Sequence, residues 1–205
     1  MKLIFPFSQK PLVLALLLLG LRAPARGQCF APAQNYPASS FSYSVAVGDF
    51  NADGKPDLVT TSHGSATTSV LLGVGDGTFA PKVNYSTLAG AWSVVVGDFN
   101  GDGKPDLATA SSGFLDYVSV LLGVGDGTFG PRQDFRAGMA LRRLAVGDFN
   151  GDGKADLTVA DVNADAVLLL LGVGDGTFGE PQSIGAGDAP VSVAVADFNA
   201  DGKPD

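Results

Sequence analysis

Asp49-Phe50-Asn51-Ala52-Asp53-Gly54-Lys55-Pro56-Asp57 places oxygen-bearing side chains at positions 1, 3, 5 and 9 of a nine-residue stretch. The stretch recurs from Asp98 to Asp106, from Asp148 to Asp156 and from Asp197 to Asp205, with only small changes at positions 4 and 8. Its starts lie 49, 50 and 49 residues apart, so the chain is an internal repeat with a unit near fifty residues. A period of that length points to propeller blades and is too long for helical hairpin repeats.

Calcium takes six to eight oxygen ligands in flexible geometry, and the spacing of the stretch supplies several from one short loop. The expected ligands are the side chains of Asp49, Asn51, Asp53 and Asp57 with the backbone carbonyl of Lys55. The matching sets are Asp98, Asn100, Asp102, Lys104 and Asp106; Asp148, Asn150, Asp152, Lys154 and Asp156; and Asp197, Asn199, Asp201, Lys203 and Asp205. Gly54 at position 6 permits the sharp turn, and the Lys55 ammonium is expected to point into water. Asn, Asp and Gly also form turns without any ion. Four copies that keep Asp at 1, 5 and 9 and Asn at 3, while position 4 drifts between Ala and Gly, favour the cation. An EF-hand is excluded, because its twelfth-position Glu is replaced by Thr60, Thr109 or Val159 and the flanks are β-like. Magnesium, with its tighter octahedral demand, suits the loop less well.

Of the 21 acidic residues, 12 sit in these loops and three more, Asp76, Asp126 and Asp175, in a second repeated motif. The formal charge of −8 is therefore local, and its field disfavours nucleic acid as a partner. The first residues carry Lys2 and Lys10, an apolar run from Leu12 to Leu19, and small residues around Ala23-Pro24-Ala25, the layout of a secretory signal over residues 1–27. The run is too short to span a bilayer. Cys29, the only cysteine, follows a poor lipobox at Arg26-Gly27-Gln28, so cleavage near Gln28 is expected in preference to acylation. No internal disulfide is possible. The predicted location is secreted or at the cell surface.

The rest of the chain reads as all-β. Each unit opens on an apolar run, Ser44 to Gly48, Ser93 to Gly97, Arg143 to Gly147 and Ser192 to Ala196, predicted as a buried innermost strand. The acidic loop follows, then a second strand from Asp57, Asp106 or Asp156 and a third ending at Leu72, Leu122 or Leu171. Gly-Asp-Gly is hairpin-turn chemistry, and a fourth strand is predicted to begin at Phe79, Phe129 or Phe178, with Pro81, Pro131 or Pro181 soon after it, which suits an edge. Blades are expected at about 41–87, 91–137 and 141–187, with the start of a further blade at 191–205. Phe30-Ala31-Pro32 and Asn35-Tyr36 match Phe79-Ala80-Pro81 and Asn84-Tyr85, so residues 30–40 are predicted as the outer strand of a closing blade. Such a permutation removes exposed sheet edges. The span from acidic loop to turn varies, 27, 28 and 27 residues, and the extra residue falls in the hairpin between strands two and three, a solvent-facing place for specificity.

The signatures Gly48-Asp49-Phe50-Asn51-Ala52-Asp53-Gly54-Lys55-Pro56-Asp57-Leu58 and Leu72-Gly73-Val74-Gly75-Asp76-Gly77-Thr78-Phe79 resemble the FG-GAP/VCBS repeat family, related to the blades of integrin α-chain propellers. The resemblance covers Phe30 to Asp205 within a repeat domain of residues 28–205. It implies a β-propeller of four-stranded antiparallel blades, of which about three and a half of an expected seven are present, with calcium in the acidic loops. Val74, Val124 and Val173 depart from the polar residue common in such repeats.

The function expected on this basis is a secreted calcium-binding scaffold that engages a protein or glycan at the cell surface. The alternative is an accessory propeller of a secreted hydrolase or lyase. No nucleophile and base pair is evident, and His63, the only histidine, is expected to be solvent-exposed in the variable hairpin, so no catalysis is predicted. Trp92, Tyr43 and Tyr117 offer either a stacking platform for a sugar ring or ordinary packing between blades. Phe50, Phe99, Phe149 and Phe198 are predicted core residues.

Overall fold

The computed structural model of the protein describes residues 33–38, 40–113 and 116–205. The signal-type segment, Cys29 and residues 30–32 lie outside the described residues. Twelve strands occur in the compact unit Tyr36–Asp205, and no helix is found among the described residues. None is therefore long and apolar enough to cross a membrane.

The first sheet contains β1 (Val45–Gly48), β2 (Asp57–Ser62), β3 (Thr67–Leu71) and β4 (Val83–Ser86). The second contains β5 (Ala91–Gly97), β6 (Asp106–Ser111), β7 (Tyr117–Leu121) and β8 (Gln133–Arg136). The third contains β9 (Leu141–Gly147), β10 (Asp156–Asp161), β11 (Ala166–Leu170) and β12 (Gln182–Gly185). Every sheet is an antiparallel meander in chain order. The fold is all-β, with propeller-type blades that do not close into a ring.

Core residues sit between successive blades. Phe50, Val59, Val70, Val94, Leu107, Leu121 and Phe129 form one cluster, joining the first blade to the second. Phe99, Ala108, Val118, Leu141, Leu157 and Leu170 are among those of another, joining the second to the third. Burying one such Leu or Phe side chain contributes about 1.5 to 3 kcal/mol. With both faces covered, β6 is buried at every residue, which explains why Leu107, Ala108 and Ala110 show no polar alternation. Short polar strands such as β8, Gln-Asp-Phe-Arg, take the exposed edge.

Four expectations are corrected. The innermost strand β1 is not buried: Val45 and Val47 are 60% and 59% exposed, because their face of the first blade has no neighbouring sheet among the described residues. Phe79, Phe129 and Phe178 do not start the fourth strands but make single bridges to Gly73, Gly123 and Gly172. The strands begin only after Pro81, Pro131 and Pro181, which lack the N–H that continuous pairing needs. Ser192 to Ala196 forms no strand, and residues 33–38 form none either, since neither segment pairs with a described strand. Phe198 is 74% exposed, whereas Phe50 and Phe99 are buried against the turn phenylalanines Phe129 and Phe178 of the next blade. No following turn exists among the described residues to cover Phe198.

Candidate functional site

The acidic loops follow the C-terminal ends of the inner strands, where Gly48 pairs with Asp57, Gly97 with Asp106 and Gly147 with Asp156. A Cβ on Gly48 would fall 2.6 Å from the Phe50 ring, so a glycine here lets the loop phenylalanine fold back over the strand end. The ninth-position aspartate is fully buried in all three blades. Asp57 accepts the Phe50 amide at 2.8 Å and the Gly73 amide at 2.6 Å. Asp106 takes Phe99 and Gly123 at 2.9 and 2.7 Å, and Asp156 takes Phe149 and Gly172 at 2.9 and 2.7 Å. One carboxylate thus ties the loop to the far end of the third strand. Burial pushes the Asp106 carboxyl up, against the amide hydrogen bonds that favour its ionised form.

Positions 1, 3 and 5 are arranged by the loop's own amides. Asp49 accepts Asp53 N–H at 3.1 Å and Gly54 N–H at 2.8 Å, Asn51 Oδ1 accepts Asp53 N–H at 3.2 Å, and Asp53 accepts Lys55 N–H at 3.0 Å. The other loops repeat the pattern, including the fourth, where Asp197 accepts Asp201 and Gly202 N–H and Asn199 accepts Asp201 N–H. Asp205 accepts the Phe198 amide at 2.9 Å. Lys55 does not point its ammonium away from the loop, as its sequence context suggested. Its Nζ lies 3.2 Å from Asp53, as does that of Lys104 from Asp102, and Lys154 lies 3.7 Å from Asp152. The Lys104 amide, then its ammonium and Asn100, hold the Asp102 carboxyl below the usual range.

The first and second loops also touch the next blade. The Phe50 carbonyl accepts the Gly127 amide at 2.8 Å, and the Phe99 carbonyl accepts the Gly176 amide at 2.9 Å. A cavity of about 500 Å³ opens between the second and third loops, lined by Asp98, Asp148 and Lys154 among others. The turn aspartates Asp76, Asp126 and Asp175 accept both the amide and the hydroxyl of Thr78, Thr128 and Thr177, which is a self-contained turn.

Among the described residues no three acidic or histidine side chains gather closely enough to share an ion. In the first three loops the ninth carboxylate is buried on two backbone amides, and each loop also presents two carboxylates and one amide oxygen at positions 1, 5 and 3. That donor set is all oxygen, and its chemistry fits a hard cation such as calcium better than zinc or copper.

At the other end of the inner strands, Tyr43, His63 and Trp92 form an aromatic cluster with centroids 4.5 to 5.3 Å apart. The Arg142 guanidinium stacks 4.3 Å over the Trp92 ring. His63 is thus half-buried against two rings, because the hairpin after β2 folds onto the start of β5. Tyr117 stands apart on β7, opposite Ser111 and Arg136. Arg142 carries no metal-ligand or catalytic motif in the sequence, and its contact with Trp92 is what marks it.

Antiparallel four-stranded blades, each carrying an acidic loop between its first two strands, define a repeat protein of the β-propeller class. The family model for FG-GAP-like repeats matches residues 49–109, 98–159 and 148–205, and the chain belongs to that family. No curated protein matches the sequence. A solved structure of a lectin from Agrocybe aegerita, described as specifically recognising non-reducing terminal N-acetylglucosamine, is 26% identical with a TM-score of 0.51. The likeness covers 68% of this chain and 37% of the lectin.

Proposed function

We propose that the protein is a secreted binding scaffold that engages glycans at the cell surface, with calcium held in its acidic loops. The observation that carries the reading is the side-by-side placing of Tyr43 and Trp92 at the lip of a cavity, in a fold similar to a lectin. Aromatic rings present flat apolar faces with polar edges, the surface a sugar ring packs against. Export is supported by the N-terminal pattern of charge, apolar run and small residues. Calcium, when bound, would neutralise the carboxylates that crowd each loop, and the residues offered to it are Asp49, Asn51, Asp53 and the Lys55 carbonyl with their counterparts. The scaffold works by binding and not by turnover on this reading, since its turn aspartates repeat identically in every blade and each accepts the amide and hydroxyl of its neighbouring threonine.

The test is a glycan array probed with the purified protein in calcium and in chelator, beside a cell-binding measurement. Retention of a defined set of glycans supports the reading. Absence of any retained glycan in both buffers overturns it.

A further inference from the structure

Tyr43, Trp92, Arg142 and Val191 each stand six residues before the first aspartate of an acidic loop, so they occupy one repeat position in four successive units. The residue that follows is Ser44, Ser93 or Ser192 in three of these units and Arg143 in the other. Chemistry at the first position changes in every unit, from phenol to indole to guanidinium to isopropyl. In the second and third blades this position is also irregular. Pairing skips Trp92 between Ala91 and Ser93, and two residues, Arg142 and Arg143, stand opposite the single Ala160 between the Leu141 and Leu144 pairs. A β-bulge of this kind re-aims a side chain out of the ladder. The four varied side chains and Arg143 line one cavity of about 270 Å³, near the lower end of small-molecule sites.

The cavity is cationic in a chain of net charge −8. No acidic side chain lines it. Arg142 donates one N–H to the Leu141 carbonyl at 3.1 Å, and Arg143 reaches the Ser44 hydroxyl at 3.5 Å. Neither is in an ion pair among the described residues. A guanidinium carries five donors in a planar fork that matches a carboxylate, and stacking on Trp92 holds the Arg142 fork in place.

We infer that this cavity binds a carboxylate-bearing sugar residue, a uronic acid at a glycan end, with the carboxylate on Arg142 and Arg143 and the ring against Tyr43 and Trp92. The inference rests on the glycan-binding reading and adds the class of sugar. A neutral sugar would use the rings and leave both guanidinium groups unmatched, whereas an acidic sugar uses both halves of the wall.

The experiment is calorimetric titration of the purified protein with glucuronate, glucose, acetate and an acidic hexapeptide, repeated on Arg143→Gln and Tyr43→Ala. Arg143 is exposed and Tyr43 is 48% exposed, so both variants should keep the fold, which circular dichroism checks. Glucuronate is expected to bind about tenfold or more tightly than glucose or acetate. Arg143→Gln should remove that advantage and leave glucose unchanged, while Tyr43→Ala should weaken both sugars. Equal affinity for glucuronate and glucose, preference for the peptide, or no effect of Arg143→Gln would overturn the inference. Uronate-terminated array glycans still retained by Arg143→Gln at wild-type level would sink this site alone and leave the glycan-binding reading standing. Loss of all glycan retention by the wild type would remove both.

Discussion

The carbonyl of Phe50 accepts the amide of Gly127 at 2.8 Å, a bond that runs from the acidic loop of the first blade to the turn of the second. The same phenylalanine donates its own amide to Asp57 at 2.8 Å, and its ring meets Phe129 at 5.5 Å. A single residue therefore links the buried aspartate of one blade to the hairpin of the next. The arrangement is repeated by Phe99, Asp106, Gly176 and Phe178. The loops are joints between blades as well as candidate ion sites.

Asp106→Asn should destabilise the protein even in chelator. The amide keeps one acceptor and sets an NH₂ against a backbone donor, leaving a buried N–H of Phe99 or Gly123 unpaired. The expected loss is about 2 to 3 kcal/mol, read from urea unfolding with EDTA. A loss seen only when calcium is added would mean the residue acts through the ion alone.

Gly127→Ala and Gly77→Ala separate backbone strain from packing, because their φ angles are +87° and +88°. A Cβ at Gly127 meets Leu72 at 3.0 Å, whereas nothing lies within 4 Å at Gly77. Both variants should lose about 1 to 2 kcal/mol for the left-handed backbone, and Gly127→Ala should lose about 1 kcal/mol more by crowding. Comparison of the two in a Leu72→Ala background should erase the difference.

Ala52→Gly should be stabilising. Ala52 sits at φ +56°, while the equivalent Gly101 and Gly151 sit at +73° and +74° and donate their amides to Asp98 and Asp148 at 2.8 Å. Relief of about 1 to 2 kcal/mol of left-handed strain outweighs the roughly 0.4 to 1 kcal/mol of added unfolded-chain entropy. A urea midpoint below that of wild type would refute the assignment of strain.

Acid should weaken the turns. The Thr78 hydroxyl, then its amide, holds the Asp76 carboxyl below its ordinary value of 3.8, and Thr128 does the same for Asp126. A folded value below the unfolded one contributes stability that is complete above the unfolded value and is lost as pH falls through the folded one. Thr78→Val should raise the Asp76 titration midpoint toward 3.8, followed by carboxyl carbon NMR. An unmoved midpoint would assign the shift to the amide alone.

Calcium added to chelator-treated protein should raise the melting temperature, with magnesium at equal concentration doing less. At tenfold its dissociation constant a single ion contributes about 1.4 kcal/mol. Titration calorimetry should count three or four sites, and Asp98→Asn should weaken one of them. Heats equal to buffer dilution would dispose of the metal reading.

Periodicity made the architecture legible. Aspartates at a fixed spacing, an apolar run before them and a Gly-Asp-Gly turn after them mark loop, strand and hairpin locally, because side-chain alternation and turn chemistry are properties of neighbouring residues. The spacing of oxygens also marked the acidic loops and placed Asp57 among the candidate ligands with Asp49, Asn51 and Asp53. Only the paired strands reveal that Asp57 is buried and holds two amides, since Gly73 is sixteen residues away in the chain. The exposure of β1 is hidden from the sequence for the same reason: an apolar strand is covered only if another sheet lies against it. The meeting of Tyr43, Trp92 and Arg142 belongs wholly to the tertiary structure, because residues about fifty apart in sequence come together only when successive blades stack in register.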